Sequence, residues 1–333
     1  FCLAPFLGPV LGPVVGTFSA EHKGWRFTMW VSLMFSGAVL IPVVFLPETY
    51  KRKILYDRAK KRGIQVNIPN LDFKQVVVTC VKKPMAMLFT DAIVFFFSFY
   101  IAFVFAVLFG FFEAFPIIFL SVYKMKQGPS GLPFIGVGVG LMLGVGFFIV
   151  LDKFVFFKKN PDGTRGKRDE NGNMIWDPPE TKLVVGQVGC VFLPISLFWL
   201  GWTSRELIHW ISPTLSGVAF GFGLILVFFM CILYFSMAFP PANVASALAA
   251  NNFIRYILAG VFPLFTVQMY KSLGIDWASS LLALIALDIV PVPLIFAKSG
   301  AQVRPKSKYV YDAVIKAMES KKAGRAASTY HAT

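Results

Sequence analysis

A chain of 333 residues with 56% hydrophobic side chains, 16% aromatics and only 15% charges is not a soluble globular domain, which averages about 45–50% apolar and about 25% charged residues. Mean hydropathy is +0.67 over the whole length, so the apolar excess is spread along the chain and describes a polytopic membrane protein. The net charge of +15 would suggest nucleic acid in a soluble chain, but no aromatic-interleaved basic patch or binding motif accompanies it, so no nucleic-acid partner is expected. Cys2, Cys80, Cys190 and Cys231 have neither C-x-x-C spacing nor nearby histidine pairs, so no metal, cofactor or disulfide framework is expected. The His/Asp or Cys clusters of an integral-membrane enzyme are missing too, so no enzymatic activity is expected.

Eight stretches approach the roughly 20 apolar residues with which a helix crosses a bilayer. In chain order they are 1–18, 27–46, 91–112, 132–151, 183–202, 213–237, 244–269 and 277–296. None alternates apolar and polar residues as a barrel strand does, so the expected class is all-α, a bundle of about eight transmembrane helices. Segment 1–46 holds two of them, 47–90 is a basic linker, 91–296 holds six with a loop at 152–182, and 297–333 is a polar tail. Tyr50 to Arg62 sets Tyr50, Ile54 and Leu55 among many cations, as in a helix lying on a membrane surface or in a solvated charged helix. The chain opens at Phe1 within an apolar run, with no charged n-region before it, which reads as a start inside a longer protein rather than as a signal peptide.

Lysine and arginine placement orients the bundle, because short cytoplasmic loops retain these residues. The linker, the 152–182 loop and the tail together hold 25 of the 32. The opposite side holds Lys23, Arg26, Lys124, Lys126, Arg205 and Lys271. Both chain ends are therefore expected in the cytoplasm, and the net charge becomes a positive-inside signature. An even number of spans argues against a seven-helix receptor.

Polar groups within hydrocarbon are costly and so become candidates for function. Asp288, near the middle of the last stretch, is a candidate binder of a proton or a cationic substrate, or else a neutral acid bonded to a neighbouring helix. Glu113 stands at the outer end of the third stretch, which Asp91 begins as a helix-start charge favoured by the dipole. Arg255, with Asn251 and Asn252 one turn before it, reads as an inner-gate contact or a cation snorkelling to the inner surface; Asn251 and Arg255 are also candidates for the substrate pathway. Tyr100, with Tyr234, Phe95, Phe99 and Phe103, is a candidate lining of a greasy cavity. Gly8, Gly12 and Gly16 form a bare ridge kinked by Pro9 and Pro13, and Gly136, Gly140 and Gly144 form another.

Gly8-Pro9-Val10-Leu11-Gly12-Pro13-Val14-Val15-Gly16 resembles the antiporter signature G-x-x-x-G-P-x-x-G-G in the fifth helix of drug:proton antiporters of the major facilitator superfamily, with Thr17 in place of the last glycine. Leu46-Pro47-Glu48-Thr49-Tyr50 resembles the exit from the sixth helix. Phe111-Phe112-Glu113-Ala114-Phe115-Pro116 is similar to the outer end of the seventh helix in the fungal multidrug and polyamine branch, as are Leu193 to Trp199, Ala245 to Asn251 leading to Arg255, Phe262 to Phe265, Leu273 to Ala278 and Pro291-Val292-Pro293. Phe235-Ser236-Met237 departs from that branch where many members keep an acid, which weighs against polyamine cations as substrate.

The resemblance implies that the eight stretches correspond to helices five to twelve of a twelve-helix fold whose two halves rock about a central site, with helices one to four belonging to a full-length parent. It also implies that the Gly8/Gly12/Gly16 ridge, with Pro13 as a hinge, packs against Gly136/Gly140/Gly144. The implied activity is export of amphipathic drugs or related small molecules in exchange for protons, across the plasma membrane. The alternatives are a permease importing another small solute and a shortened chain that does not transport. The implied partners are the lipid bilayer, a small-molecule substrate and protons.

Overall fold

The computed structural model describes residues 3–49, 51–63, 77–156 and 178–311. Part of the basic linker, most of the 152–182 loop and most of the tail lie outside the described residues. Those that are described form helices and connecting turns with no strand.

In chain order, α1 is Ala4–Lys23 and α2 is Trp25–Val44. The basic stretch that follows forms α3, Lys51–Lys61, in which Lys53 and Asp57 pair at 3.4 Å one turn apart. A short α4, Lys83–Thr90, leads to α5, Ala92–Pro116, which loosens past Pro116 into a π-helical turn, Ile117–Val122. Then come α6 (Pro133–Leu151), α7 (Leu183–Thr203), α8 (Ile211–Ala238), α9 (Pro241–Ile289) and α10 (Pro291–Val303). Prolines at the first turns of α1, α4, α6, α9 and α10 set φ for the helix and lack only an N–H that has no intrahelical acceptor there. Asp91 caps α5: its Oδ1 accepts from Ile93 N at 2.9 Å and Val94 N at 3.4 Å, as a helix-start carboxylate should.

Among the described residues, six helical stretches are long and apolar enough to cross a membrane: Trp25–Val44, Ala92–Val122, Pro129–Phe156, Pro179–Thr203, Ile211–Ala238 and Asn243–Lys306. The expectation of about eight differs at two places. The glycines, prolines and Glu21–Lys23 end of α1 dilute its apolar character. The last stretch has 64 residues, and at about 1.5 Å per residue a straight helix of that length would be about three times the hydrocarbon thickness. Gly274 divides it, with φ 77 and ψ 166, a conformation open essentially to glycine alone. The two arms fold back on each other there, with the hydroxyls of Tyr270 and Ser279 at 3.1 Å. Gly24, between α1 and α2, has nearly the same backbone, φ 78 and ψ 169. One turn geometry thus joins two helix pairs far apart in the chain, as internal structural repeats of transporters would have it.

The core is built by α5, α7 and α8 with α9. Here α5 lies along α9, α8 lies between α6 and α7, and α7 also touches α9. Alpha-1 leans on α6, whereas α2 touches little besides α1 and has no buried residue. Its Trp30, Phe35 and Ile41 are exposed, and in a membrane such a surface faces hydrocarbon or another helix.

The two glycine ridges do not meet. Methyl groups at 136 and 140 would run into the backbone oxygens of Thr214 and Val218, and one at 144 into Ile225, so this ridge carries α8. Alpha-8 answers with its own Gly221, which lies on the carbonyl of Val137. A helix can offer one ridge closely to one neighbour only, and α8 has taken it. Alpha-1 instead rests on the adjacent face of α6, where Val10 fills the space a side chain at Gly138 would need. A Cβ at Gly8 or Gly12 would meet nothing within 4 Å, and one at Gly16 would meet only Thr28 of α2, at 3.8 Å.

Candidate functional site

Two buried polar side chains stand one turn apart on α9: Arg255 is 7% exposed and Asn251 4%. At about 1.5 Å per residue Arg255 lies about 21 Å along the helix from Pro241, in the middle of the arm that ends at Gly274. Aromatic rings hold its guanidinium within the bundle. Its guanidinium carbon is 4.8 Å from the ring centre of Phe105 on α5, 5.6 Å from Phe228 on α8 and 5.0 Å from Tyr256. Its Nη2 donates to the Tyr256 hydroxyl at 3.3 Å. Alpha-1 closes the arrangement, since Phe6, 1% exposed, sets its ring edge-on to Phe105 at 5.8 Å and Phe228 at 4.7 Å.

An arginine at the centre of a membrane helix costs about 2.5–3.5 kcal/mol to insert. Stacking on desolvated rings offsets about 2 kcal/mol of that. Hydrogen bonding is incomplete: Arg255 Nε and Asn251 Nδ2 are both buried and without a partner. No carboxylate among the described residues pairs with Arg255.

The other candidates are scattered. Glu113 is half-buried near the C-terminal end of α5, and Asp288 is exposed near the end of α9; neither has an ion-pair partner among the described residues. Tyr100 and Tyr234 are fully buried inside the α5–α8 packing, where the Tyr234 ring lies 5.0 Å from Phe97. Phe95 and Phe99 are exposed and stack on each other at 6.3 Å, while Phe103 is buried against Phe262. These five aromatics therefore share no single environment: Phe95, Phe99 and Phe103 follow one face of α5, exposed at its start and covered at Phe103, while Tyr100 of α5 and Tyr234 of α8 lie inside the packing.

Sequence reading missed several contacts that fix the site's walls. Thr17, the departure from the glycine signature, donates through Oγ1 to the carbonyl of Gly128 at 3.0 Å, and Glu21 accepts from Gly128 N. Together they fasten the C-terminal end of α1 to the loop between α5 and α6. At the opposite end the tail straps the helices together. Ser307 donates to Asp91, Asn243 Nδ2 donates to Tyr309 O at 2.7 Å, and Arg304 Nε pairs with Glu180 Oε1 at 2.8 Å. None of these pairs leaves a local signal, because each joins residues far apart in the chain.

The Major Facilitator Superfamily pattern matches residues 4–263. Polyamine transporter 4 of Saccharomyces cerevisiae is 45% identical to this chain over 96% of its length and 52% of the relative's. The Major facilitator superfamily multidrug transporter mdrA of Aspergillus fumigatus is 40% identical over 93% of this chain and 51% of its own. The MFS-type efflux pump MFS2 of Trichophyton rubrum is 37% identical over 94% and 52%. The chain thus spans about half the length of these relatives. Their names are those of transporters and not enzymes, and the apolar helices make this a multi-pass membrane protein. With its all-helical fold and a match over most of its length, the chain belongs to the major facilitator superfamily.

Proposed function

We propose that this chain forms the C-terminal six-helix half, and two helices of the N-terminal half, of a fungal transporter that exports amphipathic small molecules by alternating access in exchange for protons. The eight passes would then be α1, α2, α5, α6, α7, α8 and the two arms divided at Gly274. The observation that carries this reading is the buried, incompletely satisfied Arg255 and Asn251 pair, set in the middle of the membrane arm where α1 lies over α5 and α8. Intramembrane polar groups default to function, and a seam between two halves is where a rocking transporter keeps its substrate. Relatives named as multidrug transporter and efflux pump support export. Glu113 and Asp288 are the carboxylates free to take and release the proton.

Efflux of Nile red, a neutral amphipathic dye, from drug-sensitive yeast expressing the longest protein that carries this sequence tests the proposal. Expression should lower retained dye, and a protonophore should abolish the difference. Equal retention with and without the protein would overturn it. Glu113→Gln should reduce this efflux several-fold at unchanged membrane abundance, because a half-buried carboxylate can lose its charge at small structural cost. Unchanged efflux would reduce Glu113 to an interfacial charge. Reporter fusions at both ends should be active only inside the plasma membrane, as the 25 cations on that side require.

A further inference from the structure

Arg255 has more donors than the protein satisfies, and what they lack is an acceptor. Its Nε and the Nδ2 of Asn251 are both buried without a partner, and one helical turn sets the two Cβ atoms about 5–6 Å apart on one face. A guanidinium and an amide NH2 are donors only at these atoms, so the complementary group is acceptor-only. Planar guanidinium geometry favours a carboxylate, which it can bind in fork fashion. The neighbouring walls are the rings of Phe105, Phe228 and Phe6, which suit an aromatic or aliphatic body and offer nothing to a second charge.

We propose that Arg255 and Asn251 bind the carboxylate of an amphipathic organic acid whose apolar body lies among these rings, with Phe6 of α1 as the cover. The proposal rests on the transport reading above and names its substrate class. A polycation is disfavoured at this point because an uncompensated guanidinium repels it in a low-dielectric setting. Phe6 is the residue through which α1 reaches the site. Movement of α1 away from α5 and α8 would uncover Arg255, and its return would seal the bound acid from the opening.

The test is equilibrium binding of radiolabelled 1-naphthoate and of 1-naphthylmethylamine, matched in ring and opposite in charge, to the purified protein in lipid nanodiscs. The naphthoate should bind saturably and the amine should not. Loss of a charge-assisted hydrogen bond corresponds to about tenfold or more in affinity, so Arg255→Gln should weaken naphthoate binding by at least about that factor. Asn251→Ala should weaken it several-fold, and Arg255→Lys should fall between wild type and Arg255→Gln because it keeps the charge and loses the fork. Should Arg255→Gln fail to fold, the wild-type preference for the acid over the amine, together with Arg255→Lys, decides the matter. Preference for the amine, binding of neither probe, or naphthoate binding unaffected by Arg255→Lys and Asn251→Ala would each overturn the proposal. Nile red efflux separates the two readings, for it persists if only the carboxylate site is wrong and is absent if the protein is no exporter.

Discussion

Gly140→Ala is expected to remove most of the folded protein, whereas Gly12→Ala leaves it intact. A methyl group at 140 collides with the carbonyl oxygen of Val218 and lies 2.8 Å from its carbon and 2.9 Å from Phe222 N. All three are backbone atoms of α8, so no rotamer change can make room. Overpacking of this kind costs typically about 1–3 kcal/mol when side chains can yield, and more when a whole helix must shift. Moving α8 would also disturb its contact with α7, where a Cβ at Gly189 would lie 2.9 Å from the Gly223 carbonyl oxygen and one at Gly223 would lie 2.8 Å from that of Gly189. A Cβ at Gly12 would meet nothing within 4 Å, and alanine should there gain about 0.5–1 kcal/mol of helix preference over glycine. Fluorescence-detected size exclusion after heating separates the two variants. A Gly140→Ala profile matching wild type would show that α6 and α8 are not held by this seam.

The pair of variants also marks the limit of what the sequence discloses. Spacing of i, i+4 and i+8 showed Gly136, Gly140 and Gly144 to be a packing ridge, because the helical period alone puts them on one face. It did not show which helix fills the ridge, since α8 and α1 both offer small residues and the choice depends on three-dimensional arrangement. The helices themselves were legible from hydropathy, and the cap at Asp91 from a carboxylate standing before an apolar run. Arg255 was visible as a charge inside a span. The rings that surround it come from α1, α5 and α8, which no local window contains. The aromatics Tyr100, Tyr234, Phe95, Phe99 and Phe103 were read as one lining, yet Phe95 and Phe99 are exposed while the other three are buried under neighbouring helices, a difference set by packing that no local window contains.

Breaking the pair between Glu180 and Arg304 is expected to cost about 2–3 kcal/mol, somewhat under the about 3–5 kcal/mol found when one partner of a fully buried pair is removed. The side chains are 12% and 19% exposed, and Nε lies 2.8 Å from Oε1. Glu180 stands in the turn that begins α7, and Arg304 in the turn that ends α10. Gly300 lets them approach, for a Cβ there would lie 2.9 Å from Glu180 Cγ. Arg304→Ala leaves a carboxylate largely out of water with no counter-charge, and it frees the strap by which Ser307 holds Asp91 and Tyr309 holds Asn243. Release of the strap also uncovers the start of α5, the helix that presents Phe105 to Arg255. At about 2–4 °C per kcal/mol for a chain of this size, the melting temperature in detergent should fall by roughly 5–10 °C. Glu180→Gln should fall by less, because it leaves no buried negative charge and only the more exposed guanidinium without its partner. The exchange Glu180→Arg with Arg304→Glu should recover part of the loss, since the charges again oppose each other although Gly300 was fitted to a carboxylate. If Arg304→Ala melts with wild type, the pair is a surface contact of the kind worth about 0–1 kcal/mol. The strap would then be held by the hydrogen bonds of Asp91 and Asn243 alone.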